Sequence, residues 1–192
     1  MDESRAPHVT HKVDLPGGQL RLREAALYVM AKCANFDFFG LTKLNKILWK
    51  ADFSAFAARR VPVTGRLYQR LKNGPAPVEM KPLLDEMVWD SLVRIDLRPA
   101  GYYTEQRPVA LTDPSLRYFS PDDLAYLDSA IEAYRNHSGS EASQSSHGVA
   151  WGTRKDGDPM PYDLALLSDE PLTSGEIERF FELGRDRLWQ SK

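Results

Sequence analysis

Apolar residues recur at helical spacing along most of this chain and alternate with polar ones in a single stretch. The strongest helical signal covers residues 41–59. Leu41, Leu44, Leu48, Ala51 and Ala55 stack on one face, and Trp49, Phe53 and Phe56 form a second stripe beside it. The polar remainder is narrow and carried by Lys43, Lys46 and Lys50. A helix apolar over so much of its circumference is contacted from several sides, so it is the expected centre of the fold. Residues 20–35 read as an earlier helix with Leu22, Ala26, Val29, Met30 and Cys33 inward. Residues 78–91 read as a third, with Met80, Leu83, Leu84 and Met87 inward and Pro82 placed early enough to restart or kink it.

Between the second and third helices the pattern breaks into punctuation. After Arg59 and Arg60 come a Val-Pro-Val-Thr-Gly bend, a segment holding Arg66, Tyr68 and Arg70, and the run Asn73-Gly74-Pro75-Ala76-Pro77. Gly74 permits positive φ, and Pro77 suits the first turn of the next helix. Val93, Ile95 and Leu97 then alternate with Arg94, Asp96 and Arg98, the signature of a half-buried strand. Pro99-Ala100-Gly101 is a turn, and residues 102–104 and 108–111 are candidate returning strands. The expectation is one small antiparallel sheet, with residues 66–71 a candidate addition.

Ser120-Pro121-Asp122-Asp123 opens a further helix with a cap, a proline at the first position and two acids in the first turn. Leu124, Leu127, Ile131 and Tyr134 form its face. Residues 140–147 are a short polar helix or turn, and Thr173-Ser174-Gly175-Glu176 is a capping-box-like start to a last helix. The expected fold is therefore α+β, mainly α-helical, with five to six helices around the central one and a small antiparallel β-sheet. Residues 1–18, polar and ending in Gly17-Gly18, read as a flexible tail. Residues 19–192 read as a single domain.

The motifs K-L-N-K-I-L-W-K-A-D, V-T-G-R-L-Y-Q and N-G-P-A-P-V-E, followed much later by Ser146-His147-Gly148-Val149-Ala150-Trp151, resemble the Panacea domain, also called the SocA-like antitoxin domain. That family shows a K-L-x-K-L-L helix, a Tyr/Trp segment, a G-P-V-x-x-E turn into a helix and a late S-H-x-x-x-W. Order and spacing agree over roughly residues 20–185, and Ala76 stands where many members carry Val. The resemblance implies a cytosolic bacterial or phage-associated antitoxin that neutralises a protein toxin, encoded by a neighbouring gene, through direct binding. It also implies an alternative, an adaptor that hands the toxin to an AAA+ protease. The family-motif or partner-binding candidates are Asn45, Lys46, Trp49, Asp52, Arg66, Tyr68, Arg70, Asn73, Gly74, Pro75, Ser146, His147 and Trp151.

Charge adds a question. The net charge is −2, yet residues 41–72 carry eight Lys and Arg against Asp52 alone. This stretch reads either as a solvated basic face or as a docking surface for an acidic partner or nucleic acid. On the docking reading, reversing Arg66 and Arg70 to Glu abolishes neutralisation and leaves the melting temperature nearly unchanged.

Reactive side chains do not converge on a recognisable motif in the sequence. The chain has no glycine-rich phosphate loop, no H-E-x-x-H, no paired cysteines and no nucleophile elbow. Asp156-Gly157-Asp158 lacks the ligand ladder of a calcium loop. Hence no enzyme, cofactor or metal is expected. One cysteine on an apolar stripe suits the core and a reducing cytosol. No apolar run reaches bilayer length and no signal pattern opens the chain, so no membrane role is expected. With no helix-turn-helix appended, nucleic acid is not an expected partner. His147 is either a structural histidine beside Trp151 or a general base, with Asp52 an orienting partner unless Asp52 pairs with Lys43, Lys46 or an arginine. Asn45, Lys46 and Asp52 either bridge to the following loops or line a groove. Trp49 reads as core; Tyr68 is open between core anchor and contact residue.

Overall fold

The computed structural model describes residues 9–100 and 103–167, together with Gly175 and Glu178. The last helix expected from Thr173 lies outside the described residues apart from those two. The elements run α1 (Gln19–Lys32), α2 (Leu41–Arg59), β1 (Tyr68–Gln69), β2 (Ala76–Pro77), α3 (Met80–Trp89), β3 (Val93–Ala100), β4 (Tyr103–Ala110), α4 (Pro121–Tyr134), α5 (Gly139–Ser145), α6 (Val149–Gly152) and a 3-10 turn over Tyr162–Leu166. The fold is α+β and mainly helical, with six helices and two small antiparallel sheets among the described residues.

Helix α2 has the bounds its periodicity implied, and its broad apolar surface is met by α1, α4, α5, β2, β4 and the 3-10 turn. One face joins the main core, where Leu44, Ile47, Leu48, Ala51 and Ala55 pack with α1, α3 and α4. The other carries Phe53 and Phe56 into a second cluster with Tyr68, Met160 and Tyr162. Cys33 is wholly buried in the main core, and burial pushes its thiol up to about 12, away from the thiolate a nucleophile needs.

The expected single sheet is two. Tyr68–Gln69 pairs with Ala76–Pro77 rather than with β3 or β4, because the 71–74 turn folds the chain straight back on itself. Pro77 is thus a strand residue and does not enter α3. Pro82 neither kinks nor restarts that helix: it is the third residue of α3, where an N–H has no intrahelical acceptor to lose. The two candidate returning segments form one continuous strand, β4, paired with β3 from Val93–Ala110 to Ala100–Tyr103.

Ser120 caps α4 as expected. Its hydroxyl accepts from Asp123 N–H, and the Asp123 carboxylate accepts from Ser120 N–H. The same carboxylate receives the buried Arg21 guanidinium at 3.0 Å and that of Arg59, tying α1 and α2 to the start of α4. Arg107 is buried too. Its Nη2 donates to Ala34 O at 2.7 Å and Phe36 O at 2.8 Å, closing the end of α1. Residues 10–15 were expected within the tail, yet Thr10 N–H bonds Asp163 Oδ2, Tyr162 N–H bonds Thr10 O, and Val13 N–H bonds Gly65 O. Polarity of side chains carried no information about these main-chain partners.

Candidate functional site

The motif residues assemble into two nodes on neighbouring parts of α2. The first gathers Lys46, Arg70, Gly74, Pro75, Ser146, His147 and Trp151. Lys46, 2% exposed, donates from Nζ to Pro75 O at 2.9 Å. The turn is closed by Gly74 N–H to Leu71 O at 2.8 Å, and Gly74 adopts φ +92°. A Cβ on Gly74 would lie 2.7 Å from Lys46 Cε and closer still to Ser146 Oγ. The glycine is therefore demanded twice, by its dihedral and by the space it leaves.

Ser146 Oγ donates to Ser143 O at 2.7 Å. The His147 ring stacks on Trp151 with centroids 3.7 Å apart and 11° between planes. Trp151 Nε1 donates to Leu71 O at 3.0 Å, and the Arg70 guanidinium lies over the same indole at 3.8 Å. Arg70 also pairs with Asp156, and its main chain bonds Gly157 and Asp158. The late S-H-x-x-x-W segment is thus the strap that holds the Gly74–Pro75 turn against α2. Burial, with Lys46 and Arg70 nearby, holds His147 below its ordinary value.

The second node centres on Asp52, which is wholly buried. It accepts from Thr64 N–H at 2.6 Å, from the Thr64 hydroxyl, and from Tyr68 OH at 2.8 Å. Tyr162 OH donates to Arg66 O at 2.7 Å and lies 3.4 Å from Asp52 Oδ2. Burial raises the Asp52 carboxyl above its ordinary value, against the pull of Thr64 and Tyr68. Asp52 neither orients His147 nor pairs with Lys43, Lys46 or an arginine; it pins the 63–68 bend. Tyr68 is a core anchor at 1% exposure. Trp49 is half-buried against the second cluster, and its indole N–H has no hydrogen-bond partner among the described residues. Asn73 is exposed, and Asn45 is half-buried. Thr64 and Tyr162, which complete this node, were not singled out from the sequence. Their signal is only their distance from Asp52 in space.

Five of the eight cations of residues 41–72 do not stand free on a basic face. Lys43 and Lys46 are buried, Arg59 pairs with Asp123, Arg66 with Glu79, and Arg70 with Asp156. Reversing Arg66 and Arg70 would set new carboxylates against Glu79 and Asp156. Such a variant loses stability and cannot report on docking.

Among the described residues these groups line separate hollows. Lys46 and Ser146 both press on Gly74, but Ser146 lines a small hollow beside Trp49, whereas Lys46 lines a different one under the 72–74 turn. Among the described residues no group of three or more His, Cys, Asp or Glu could hold a metal ion.

A family model, the SocA-like antitoxin Panacea domain, matches residues 44–152, more than half of the chain. The chain belongs to this family. Neither a curated protein nor a solved structure matches it. The matched part of the Panacea domain spans every candidate from Asn45 to Trp151. It leaves α1 and the 3-10 turn outside, although Tyr162 contributes directly to the Asp52 node.

Lys46 makes the node sensitive to pH. Burial lowers its ammonium to about 7 from an ordinary 10.5. Below about pH 7 both folded and unfolded chains hold the proton, and the cost of burying the charge is complete. Between there and 10.5 the unfolded chain holds a proton that the folded one has released, so stability rises with pH, by at most ~1.4 kcal/mol per unit from this group. Lys46→Met removes that dependence. Measured by denaturant melts, its stability relative to wild type should be higher at pH 6 than at pH 8.5. An offset equal at both would show that Lys46 does not titrate there.

Proposed function

We propose that this protein is an antitoxin that neutralises the toxin encoded by a neighbouring gene by binding it directly, without catalysing a reaction. Membership of the SocA-like antitoxin family carries the reading. The geometry is consistent with it: the motif residues brace one another, and among the described residues Lys46 and Ser146 line different hollows. The surface offers contact groups instead. Trp89, at the end of α3, is 89% exposed. Large apolar side chains left in water are the type that anchors protein interfaces. No helix among the described residues is long and apolar enough to cross a membrane.

The test is co-expression. The neighbouring gene, induced alone in a bacterial host, should stop growth; with this protein present, growth should return and the two should co-purify. Growth restored without a stable complex, and only while the AAA+ protease is intact, would instead favour the adaptor role. A neighbour that is harmless alone would remove the antitoxin reading.

A further inference from the structure

Among the described residues strand β4 has an edge that no other strand pairs, set in the wall of a groove. Leu111 N–H bonds Leu92 O at 2.9 Å, in step with the register that pairs Val93 with Ala110. Ladder bonds in an antiparallel pair join alternate opposed residues. Arg94–Val109, Asp96–Arg107 and Arg98–Glu105 are therefore the bonded pairs, while Thr104, Gln106 and Pro108 turn their main-chain groups away from β3. Pro99 and Pro108 both occupy such outward positions, where a missing N–H costs no ladder bond. The outer edge of β4 thus offers open donors and acceptors at Thr104 and Gln106, with Pro108 as a stop. Among the described residues no other strand pairs with it.

Thr104, Glu105 and Gln106 form one wall of a hollow of about 510 Å³, and the start of α2 from Gly40 to Lys43 forms another. A second hollow of about 450 Å³ continues past Asn45 to the Lys72–Gly74 turn, and the two share Leu41, Thr42 and Asn73. Polar groups along this groove are under-used. Asn45 Oδ1 is buried with no hydrogen-bond partner among the described residues. Lys43 is 1% exposed, and its ammonium, which carries three donors, makes one hydrogen bond among the described residues, 3.3 Å to Arg135 O. Helix α2 opens with no side-chain cap and no acid in its first turn. Lys43, Lys46 and Lys72 line the groove with Glu105 and Asp156, and Asp156 is already paired with Arg70. Burial lowers both the Lys46 and the Lys43 ammonium groups, Lys46 to about 7, so near neutral pH the positive charge of the groove comes from Lys72 and Lys43, set against Glu105.

We propose that the groove receives an extended segment of the toxin, which adds as a third strand along Thr104–Gln106 and turns an acidic side chain toward Lys43 and the start of α2. This rests on the antitoxin reading. An open strand edge recognises main chain, so the occupant is a polypeptide in extended form. Lys43 and Lys72 favour an acidic side chain in it.

Gln106→Pro removes an outward N–H and blocks the edge while leaving the β3–β4 bonds in place. Leu97→Pro does the same to the outer edge of β3 and serves as the control. With the purified product of the neighbouring gene as probe, Gln106→Pro should bind about tenfold more weakly or worse, and Leu97→Pro should bind as wild type. Lys72→Glu, an exposed change, should also weaken binding. Amide hydrogen exchange of the wild-type complex should slow at Thr104 and Gln106, and this arm decides alone if a proline variant melts early. Full binding by Gln106→Pro, or unchanged exchange at both amides, overturns the groove and leaves the antitoxin reading standing. A wild-type protein that does not bind the probe at all overturns that reading, and the groove's assigned occupant with it.

Discussion

Gly74→Ala should melt roughly 10 °C below wild type, the expected consequence of about 3 kcal/mol of lost stability in a chain of this size. Two costs combine. A φ of +92° is one that an L side chain rarely adopts, which costs about 1–2 kcal/mol by itself. The added methyl then meets Lys46 Cε at 2.7 Å and Ser146 Oγ closer still. Neither neighbour yields freely, because Lys46 is bonded to Pro75 O and Ser146 to Ser143 O. Overpacking of this kind adds about 1–3 kcal/mol. Gly157 is the internal reference: its φ is +87°, and a Cβ there would meet nothing within 4 Å. Gly157→Ala should therefore show the dihedral cost alone. Equal melting temperatures for the two variants would show that the close approach of Lys46 and Ser146 contributes nothing.

Asp52→Ala is the second large effect, a loss of about 4 kcal/mol by chemical denaturation. Thr64 N–H, the Thr64 hydroxyl and Tyr68 OH all point at this carboxylate in a place without exposure to water. Removing the acceptor leaves three buried donors unpaired, at about 1–3 kcal/mol each before the bend relaxes. The size follows whether or not the carboxyl is ionised, since the donors lose their partner in either state. A double-mutant cycle tests the assignment. Tyr68→Phe should cost about 1 kcal/mol in wild type and almost nothing in the Asp52→Ala background, where the hydroxyl has already lost its acceptor. Strictly additive losses would mean that Tyr68 is held by packing alone, with its T-shaped contact to Phe53 at 5.4 Å the obvious source. Either result bears on the antitoxin only through stability, because Asp52 has no exposure from which to touch a partner.

Both predictions concern residues whose type was legible in the sequence and whose reason was not. A glycine between an asparagine and a proline announces a turn. It does not announce that Ser146, seventy-odd positions later, fills the space beside it. Asp52 on an apolar helix announces a buried acceptor, and an ion pair with a nearby lysine is the local expectation. The donors come instead from Thr64 and Tyr68 on the returning chain, with Tyr162 close by. The lysines and arginines of residues 41–72 show the same limit. Counted along the chain they make a basic surface. In the fold, Arg59, Arg66 and Arg70 are neutralised by Asp123, Glu79 and Asp156, the last 86 positions away.

What the sequence by itself determined is what depends on near neighbours. The bounds of α2 followed from apolar spacing over five turns. The Ser120–Asp123 capping box followed from four adjacent residues, the β3 strand from strict alternation, and the place of Cys33 in the core from its stripe. Family membership followed from motifs whose order along the chain is itself a sequence property. The tertiary structure alone decided which charges meet, which strands pair and which strand edge is left open. Those outcomes depend on long-range contacts, and a residue's chemistry restricts its partner to a type without saying where in the chain that type will be found.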